Sequence, residues 1–143
     1  MPEVWIITGG RNYKNRSKVE SFLLDVDPET IIRHGACKTG VDSFAENFWH
    51  DVLKRETDPH PADWNGKCIV GFCKPGHRRR RGGGSTYCLA AGNWRNKLMA
   101  EMEPKASRCV AFRGGSGTHD MMQCARNNHI GLQTIGFDDL TIF

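Results

Sequence analysis

The sequence predicts an α/β protein, a Rossmann-like three-layer sandwich in which helices cover both faces of a mainly parallel sheet. Short apolar runs alternate along the chain with segments of helical periodicity, and three of the runs end in a glycine-rich loop. Alternation of this kind is typical of βαβ units, whose right-handed crossovers make the strands parallel. The 143 residues are the length of one domain, so we expect a single domain over 1–143.

The first half of the chain contains two predicted strands and a helix between them. The run Val4–Thr8 is largely apolar and continuous, as expected of a strand buried on both faces. Apolar residues at positions 19, 22, 23 and 26 share one face of a predicted helix, which Pro28 helps to end. Residues 30–33 form the second predicted strand.

The middle of the chain contains the strongest predicted helix. An apolar stripe runs over residues 44–53, and Asp42 is a candidate N-cap for this helix. Residues 56–64 carry two prolines, which predicts a brief strand near an edge of the sheet. A further helix is predicted over 90–102 and ends before Pro104.

The last third predicts one more strand, loop, helix and strand. Residues 109–112 form an apolar run, and the glycine loop 114–118 follows it. The helix is predicted over 120–127 and the final strand over 132–135.

Residues 68–89 are interpreted as one long basic insertion. The net charge of the chain is +4, but no acidic residue lies between Trp64 and Trp94, a segment that includes four consecutive arginines, Arg78 to Arg81. A basic segment on a slightly acidic body indicates a local contact with something anionic. The arginines could close over a polyphosphate, contact nucleic acid or remain a solvated loop.

The chain contains six cysteines, which we interpret as reduced because they lack the density of a secreted disulfide scaffold. Cys68, Cys73, His77 and Cys88 form a loose group whose residue types suit zinc, although the spacing differs from that of a standard zinc knuckle. We therefore predict no metal and no cofactor, and leave open whether this group binds an ion.

No apolar run approaches the roughly 20 residues that cross a membrane, and no secretory signal is visible. We therefore expect a cytoplasmic protein with no membrane partner. The apolar faces of the predicted helices exceed what one thin sheet obviously covers, which favours a homo-oligomer.

Three glycine loops are predicted at the carboxyl ends of strands, where open parallel sheets bind their ligands. They are Gly9-Gly10-Arg11, residues 35–40, and residues 114–118. Glycine allows backbone to approach a ligand, and the following helix offers N–H groups, so these loops suit phosphate or another anion. None matches the dinucleotide GxGxxG pattern or a Walker A sequence, which disfavours an ordinary dehydrogenase or ATPase.

Five ordered blocks carry a resemblance to a known family. The sequences TGGR, HGACKTGVDSFAENF, PADW, AGNWRNKLM and AFRGGSGTHDM resemble the YspA-type branch of the SLOG superfamily, relatives of the LOG and DprA Rossmann-like folds. The resemblance spans nearly the whole chain apart from the insertion. It implies a domain that binds nucleotide derivatives, since some SLOG domains sense signalling nucleotides and LOG proteins cleave the base from a nucleoside monophosphate.

One departure from the LOG pattern bears on catalysis. The LOG motif GGxGTxxE ends in a glutamate, whereas this chain has Met121 at that place, and methionine cannot exchange protons. Asp120, Asp42 and Asp63 are the carboxylates that could substitute for it, and Asp63 could instead contact a ribose hydroxyl or stabilise a turn. The catalytic residues, if there are any, are therefore unknown.

The remaining candidates are polar or aromatic side chains near the strand ends. Arg11 and Arg95 could grip phosphate bidentately, and Asn96 could bind a base or a sugar. His34 could contact phosphate or serve as a structural hydrogen-bonding group, and Trp64 or Trp94 could stack on a base. The candidate nucleotide-binding residues are Gly9, Gly10, Arg11, His34, Gly35, Ala36, Gly40, Asp42, Asp63, Arg95, Asn96, Gly114, Gly115, Ser116, Gly117 and Thr118.

Three functions follow as hypotheses. The first is binding of a nucleotide-derived small molecule, a signalling nucleotide or an ADP-ribose-like ligand, as a sensor or a sequestering protein. The second is an enzyme, a nucleotide N-glycosidic hydrolase that uses Asp63 or Asp120. The third is nucleic-acid binding through Arg78 to Arg81, which predicts a steep dependence on salt.

Overall fold

The computed structural model describes residues 2–69, 71–74, 78–80 and 86–137. The helices and strands follow one another along the chain in the alternation that the sequence predicts. They are β1 (Val4–Thr8), α1 (Arg16–Leu24), β2 (Ile31–His34), α2 (Val41–Ala45), a π-helical continuation of α2 (Glu46–Val52), β3 (Thr57–Pro59), β4 (Arg79–Arg80), β5 (Thr86–Tyr87), α3 (Ala91–Glu101), β6 (Arg108–Phe112), α4 (Ser116–Asn127) and β7 (Gly131–Ile135).

Five strands form the main sheet in the order β3-β2-β1-β6-β7, and every neighbouring pair is parallel. The predicted Rossmann-like α/β fold is therefore confirmed. The brief strand predicted within 56–64 is β3, which lies at one edge of the sheet. Pro59 has no N–H to donate, and an edge strand tolerates this because one of its sides has no neighbouring strand. No helix within the described residues is long and apolar enough to cross a membrane.

The two faces of the sheet carry separate apolar cores. Consecutive residues of β1 alternate between them, because side chains along a strand point to opposite faces. Ile7 packs with residues of α1 and of α2 and its continuation, whereas Ile6 packs with residues of α3 and α4. Helices thus cover both faces of the sheet, as a three-layer sandwich requires.

Two helix starts differ from the prediction. Asp42 is not an N-cap, because α2 begins at Val41 and Gly40 occupies the cap position; Asp42 lies in the first turn. Helix α4 begins at Ser116 rather than at residue 120, so Gly117 and Thr118 are helical and the third glycine loop is shorter than predicted. Glycine obscures a helix start in sequence because its propensity is poor, but the first turn tolerates it.

Part of the predicted insertion forms two paired β-strands rather than an irregular loop. Strands β4 and β5 form a small antiparallel ladder in which Arg79 lies opposite Tyr87 and Arg80 opposite Thr86. Of the four arginines, Arg81 lies outside the described residues, as does His77 of the cysteine group.

Arg33 is a buried cation that hydropathy patterning does not identify as core. Its side chain is 1% exposed and its Nε donates to Asp58 Oδ2 at 2.8 Å. Its Nη1 and Nη2 donate to the carbonyls of Met99 at 3.1 Å and Pro104 at 3.0 Å. Burial opposes ionisation of Asp58, but the hydrogen bonds from Arg33 and His60 hold the pKa of its carboxyl below the ordinary value. Arg33 therefore ties β2 to β3 and to the end of α3.

We predict that Arg33→Met lowers the free energy of unfolding by about 3 kcal/mol, because it leaves the carbonyls of Met99 and Pro104 and the carboxylate of Asp58 without their donor. Arg108→Met is the matched control: Arg108 is also on a strand but is exposed, so its loss should cost less than about 1 kcal/mol. Urea denaturation of both variants measures the difference. Equal effects would show that Arg33 is not a structural tie.

Candidate functional site

The candidate site lies where the strand order reverses, between β1 and β6. Chain connections leave these two neighbouring strands in opposite directions across the sheet, and this opens a crevice beyond their carboxyl ends. A cavity of about 350 Å³ occupies the crevice. It is lined by Thr8, Gly9, Gly10, Arg11, Asn12, Cys37, Asp42, Arg95, Asn96, Gly115, Ser116, Gly117 and Thr118.

Most of the candidate residues come together there. The first and third glycine loops, Arg11, Asp42, Arg95 and Asn96 line the crevice. The candidates that do not line it are His34, Gly35, Ala36, Gly40, Asp63 and Gly114.

The backbone of Gly10 connects the loops that shape the crevice. Its N–H donates to the carbonyl of Arg113 at 3.1 Å, which joins the loop after β1 to the end of β6. Its carbonyl accepts from the N–H of Tyr13 at 3.1 Å and from that of Val41 at 3.3 Å, at the start of α2. The backbone of one residue thus fixes three segments relative to one another.

Two glycines that do not line the cavity are required for this close packing. Gly40 has a φ of +76°, and a Cβ there would collide with the carbonyl oxygen of Gly10. A Cβ on Gly114 would collide with the hydroxyl of Thr118 and would lie 2.7 Å from the Gly10 nitrogen. These glycines hold the walls of the crevice together.

Gly115 and Gly117 differ from them because open space lies where their side chains would be, with no atom within 4 Å of an ideal Cβ. Both are exposed and both line the crevice. A bound ligand can therefore approach their backbone closely.

The amino terminus of α4 faces the same cavity. The first hydrogen bond within the helix joins the N–H of His119 to the carbonyl of Gly115 at 3.1 Å. The N–H groups of Ser116, Gly117 and Thr118 precede it and have no acceptor within the helix. Together with the positive end of the helix dipole, they suit an anion.

Arg11 stands at the mouth of the crevice. Its side chain is exposed and makes no hydrogen bond or ion pair with any residue that the structure describes. It also lines a neighbouring cavity of about 720 Å³, which we name the basic groove. Lys14 and Lys38 line this groove as well, and no acidic residue does. The approach to the crevice is therefore electropositive.

Arg95 and Asn96 line the crevice, but their polar atoms mostly bind the protein. Arg95 Nη1 donates to the carbonyls of Gly35 at 2.6 Å and His60 at 3.2 Å, and its Nε donates to Asn96 Oδ1 at 2.9 Å. Asn96 Nδ2 donates to the Gly117 carbonyl at 3.2 Å and to Asp120 Oδ2 at 3.0 Å. These bonds extend from the second loop through α3 to α4, so both side chains position the walls.

His34 has the structural role that the sequence left as an alternative. It is 1% exposed, its Nδ1 accepts from the N–H of Ala36 at 2.9 Å, and its Nε2 lies 2.7 Å from Glu46 Oε1. An Nδ1 that accepts carries no proton, so the proton of the neutral ring is on Nε2, facing Glu46. His34 thereby orients the second loop, in which Ala36 has a φ of 55°.

Asp42 is the carboxylate that lines the crevice. It is 8% exposed, and its Oδ2 accepts from the N–H of Cys37 at 3.3 Å. Burial raises the pKa of this carboxyl above its ordinary value, against the opposing effect of its hydrogen bonds and positive neighbours. Burial likewise raises the pKa of the Cys37 thiol, and the nearby Asp42 raises it further.

Asp63, Asp120 and the two tryptophans lie elsewhere. Asp63 lines a second cavity of about 240 Å³ together with Trp94, and the Trp94 ring packs against Phe72 with centroids 5.1 Å apart. Trp64 packs against Tyr87. Asp120 accepts from Asn96 behind the wall of the crevice.

Three lining residues are absent from the sequence-based candidates: Thr8, Asn12 and Cys37. Thr8 and Asn12 flank the first glycine loop, and Cys37 lies within the second. The first loop would include Thr8 and Asn12 if its predicted bounds extended by one residue at each end. Cys37 belongs to the predicted second loop, but no sequence pattern singles out its side chain as a ligand contact.

Comparisons of the chain with protein-family models, curated proteins and solved structures found no match.

Gly114, which is closely packed, and Gly117, which faces open space, should respond differently to substitution by alanine. Gly114→Ala should destabilise the protein by about 1–3 kcal/mol, because the Cβ collides with backbone and with Thr118. Gly117→Ala should leave stability unchanged or slightly raised, because the Cβ meets open space and alanine is the better helix former. Thermal unfolding measures both, and a Gly114→Ala variant as stable as wild type would contradict the packing described.

The buried carboxyl of Asp42 should make the stability difference between wild type and Asp42→Asn depend on pH. Because its pKa is raised in the folded protein, its contribution to stability is neutral below the ordinary value of 3.8 and becomes unfavourable as the pH rises from that value to the folded pKa. The stability of Asp42→Asn relative to wild type should therefore increase as the pH rises from 3.8 toward neutrality, and level off once the folded carboxyl is ionised. Melting temperatures across this range test it; a constant or falling difference would show that the carboxyl is not penalised by burial.

Proposed function

We propose that this protein binds a nucleotide-derived small molecule in the crevice between β1 and β6, as a sensor or a sequestering protein. The observation that carries the proposal is Arg11, an exposed cation without a described protein partner, facing a cavity that the amino terminus of α4 also lines. Both groups attract the same kind of ligand, an anion.

A phosphate group fits this arrangement. The N–H groups of Ser116 and Gly117 can bind its oxygens at the end of the helix, and the guanidinium of Arg11 can bind it bidentately from the opposite loop. The open space over Gly115 and Gly117 leaves room for close backbone contact. A volume of about 350 Å³ is within the range of small-molecule sites.

Our proposal for the rest of the ligand rests on the resemblance to SLOG domains and on the surroundings of the crevice. Polar groups of Thr8, Asn12 and Ser116 line the cavity and suit sugar hydroxyls or base edges. The basic groove continues from Arg11 and suits further phosphates. A nucleotide or an ADP-ribose-like molecule combines these chemical groups.

The arrangement favours binding over hydrolysis. Asp63 and Asp120, the carboxylates proposed for glycosidic cleavage, do not line the crevice. Asp42 does, but it is held by the backbone of the second loop and its burial disfavours the charged form that a nucleophile or general base needs. Hydrolase activity is therefore the second candidate.

Nucleic-acid binding through the arginine run ranks third. Arg78 donates to the Gly66 carbonyl at 2.7 Å and to the Thr86 hydroxyl at 3.1 Å, so these donors bind the protein itself. A nucleic-acid site would need these donors to face outward toward phosphates.

The test is calorimetric binding of a panel of AMP, ADP, ATP, cyclic AMP and ADP-ribose to wild type and to Arg11→Ala. Loss of a charge-assisted contact of roughly 1.5–3 kcal/mol should weaken the best ligand about 10-fold or more. Arg126→Ala is the matched control, because Arg126 is an exposed arginine in the last turn of α4, and its removal should change affinity less than about 2-fold. Equal affinities for wild type and Arg11→Ala would exclude the crevice as the site.

A further inference from the structure

Three cysteine side chains converge in the segment between β3 and α3. One Sγ from each of Cys68, Cys73 and Cys88 lies within 4.8 Å of the other two. The group lies outside the crevice, since none of the three lines it. Cys88 is buried, and the other two are half-buried.

The distance between two of the sulfur atoms fits ligands of one metal ion rather than a disulfide. Cys73 Sγ and Cys88 Sγ are 3.6 Å apart. Two thiolates about 2.3 Å from a tetrahedral zinc ion are separated by about 3.8 Å, whereas a disulfide bond is about 2.05 Å long.

The surroundings of Cys68 and Cys73 stabilise negative charge on their sulfurs, whereas burial raises the pKa of the Cys88 thiol. The N–H of Ile69 donates to Cys73 Sγ at 3.1 Å, and Arg78 Nη1 lies 3.5 Å from Cys68 Sγ. Hydrogen bonds to ligand sulfurs are the usual support of thiolate metal sites. The guanidinium also offsets the negative charge that three thiolates retain when they bind a divalent ion.

The described residues of the insertion contribute little buried apolar surface. Among 68–69, 71–74, 78–79 and 86–89, whose burial the structure describes, Cys88 is the buried residue. A metal ion is a common substitute for a hydrophobic core in a segment of this size.

We propose that Cys68, Cys73 and Cys88 bind a structural zinc ion that fastens the insertion to the start of α3. Thiolates select zinc over magnesium or calcium, and a donor other than these cysteines completes the tetrahedron. Cys68 and Cys73 flank a turn in which the N–H groups of residues 72 and 73 both donate to the Ile69 carbonyl. Cys88 donates its N–H to the Trp64 carbonyl at 2.7 Å, so the ion would join both ends of the segment.

The first test is zinc content of the full chain, purified without a histidine tag and measured by plasma mass spectrometry. We expect one zinc ion per chain for wild type and loss of most of it in Cys73→Ser and Cys88→Ser. Cys124→Ser is the matched control and should retain the ion, because Cys124 lies on α4, away from the group. Absence of zinc from wild type, also after incubation with zinc and dialysis, would overturn the proposal, as would equal content in all variants.

A second measurement needs no variant and so does not depend on whether the serine proteins fold. Protein stripped with a chelator is titrated with Co²⁺ under reducing conditions, and the expected spectrum has the thiolate charge-transfer and tetrahedral bands of a Cys-bound ion. Intact-mass analysis of the untreated protein should show all cysteines reduced. A spectrum of hexaaquo cobalt alone, or a mass lower by two hydrogens from a Cys73–Cys88 disulfide, would contradict the zinc site.

Discussion

The packing of three segments around the backbone of Gly10 is the constraint on which the crevice depends. The Gly10 carbonyl accepts from Tyr13 and Val41 and its N–H donates to Arg113, so the loops after β1 and β6 and the start of α2 lie within hydrogen-bond distance of one residue. Any side chain at Gly40 or Gly114 would separate them. The same closeness brings Arg11 and the amino terminus of α4 to one cavity, and the proposed anion binding rests on this pair.

A second layer of hydrogen bonds holds the other side of the crevice. Arg95 crosses to the second loop and Asn96 to α4, while His34 and Asp42 fix the second loop from beneath. Polar side chains next to a ligand site can bind the ligand or position the walls. Part-buried hydrogen bonds with several partners indicate the second role here, and leave Arg11 and the α4 backbone for the ligand that we propose.

The parallel sheet could be predicted from the sequence because apolar runs indicate buried strands and glycine loops indicate where those strands end. Most of the candidate residues line the crevice for a related reason: Gly9 and Arg11 follow a strand end, and Gly117 lies in the first turn of a helix. The sequence could not assign roles, since whether Arg95 binds a ligand or Gly35 depends on loop geometry. The burial of Arg33 and the position of Asp42 inside the first turn of α2 were also missed. Both depend on tertiary contacts that no local sequence pattern encodes.

The most direct test of the account is mass spectrometry of ligands released from the protein after incubation with a mixed nucleotide pool, with the supernatant analysed alongside. The account predicts recovery of one intact nucleotide derivative in near-stoichiometric amount from wild type and little from Arg11→Ala. Accumulation of free base and ribose phosphate in the supernatant, without a retained nucleotide, would contradict it and establish the protein as a hydrolase.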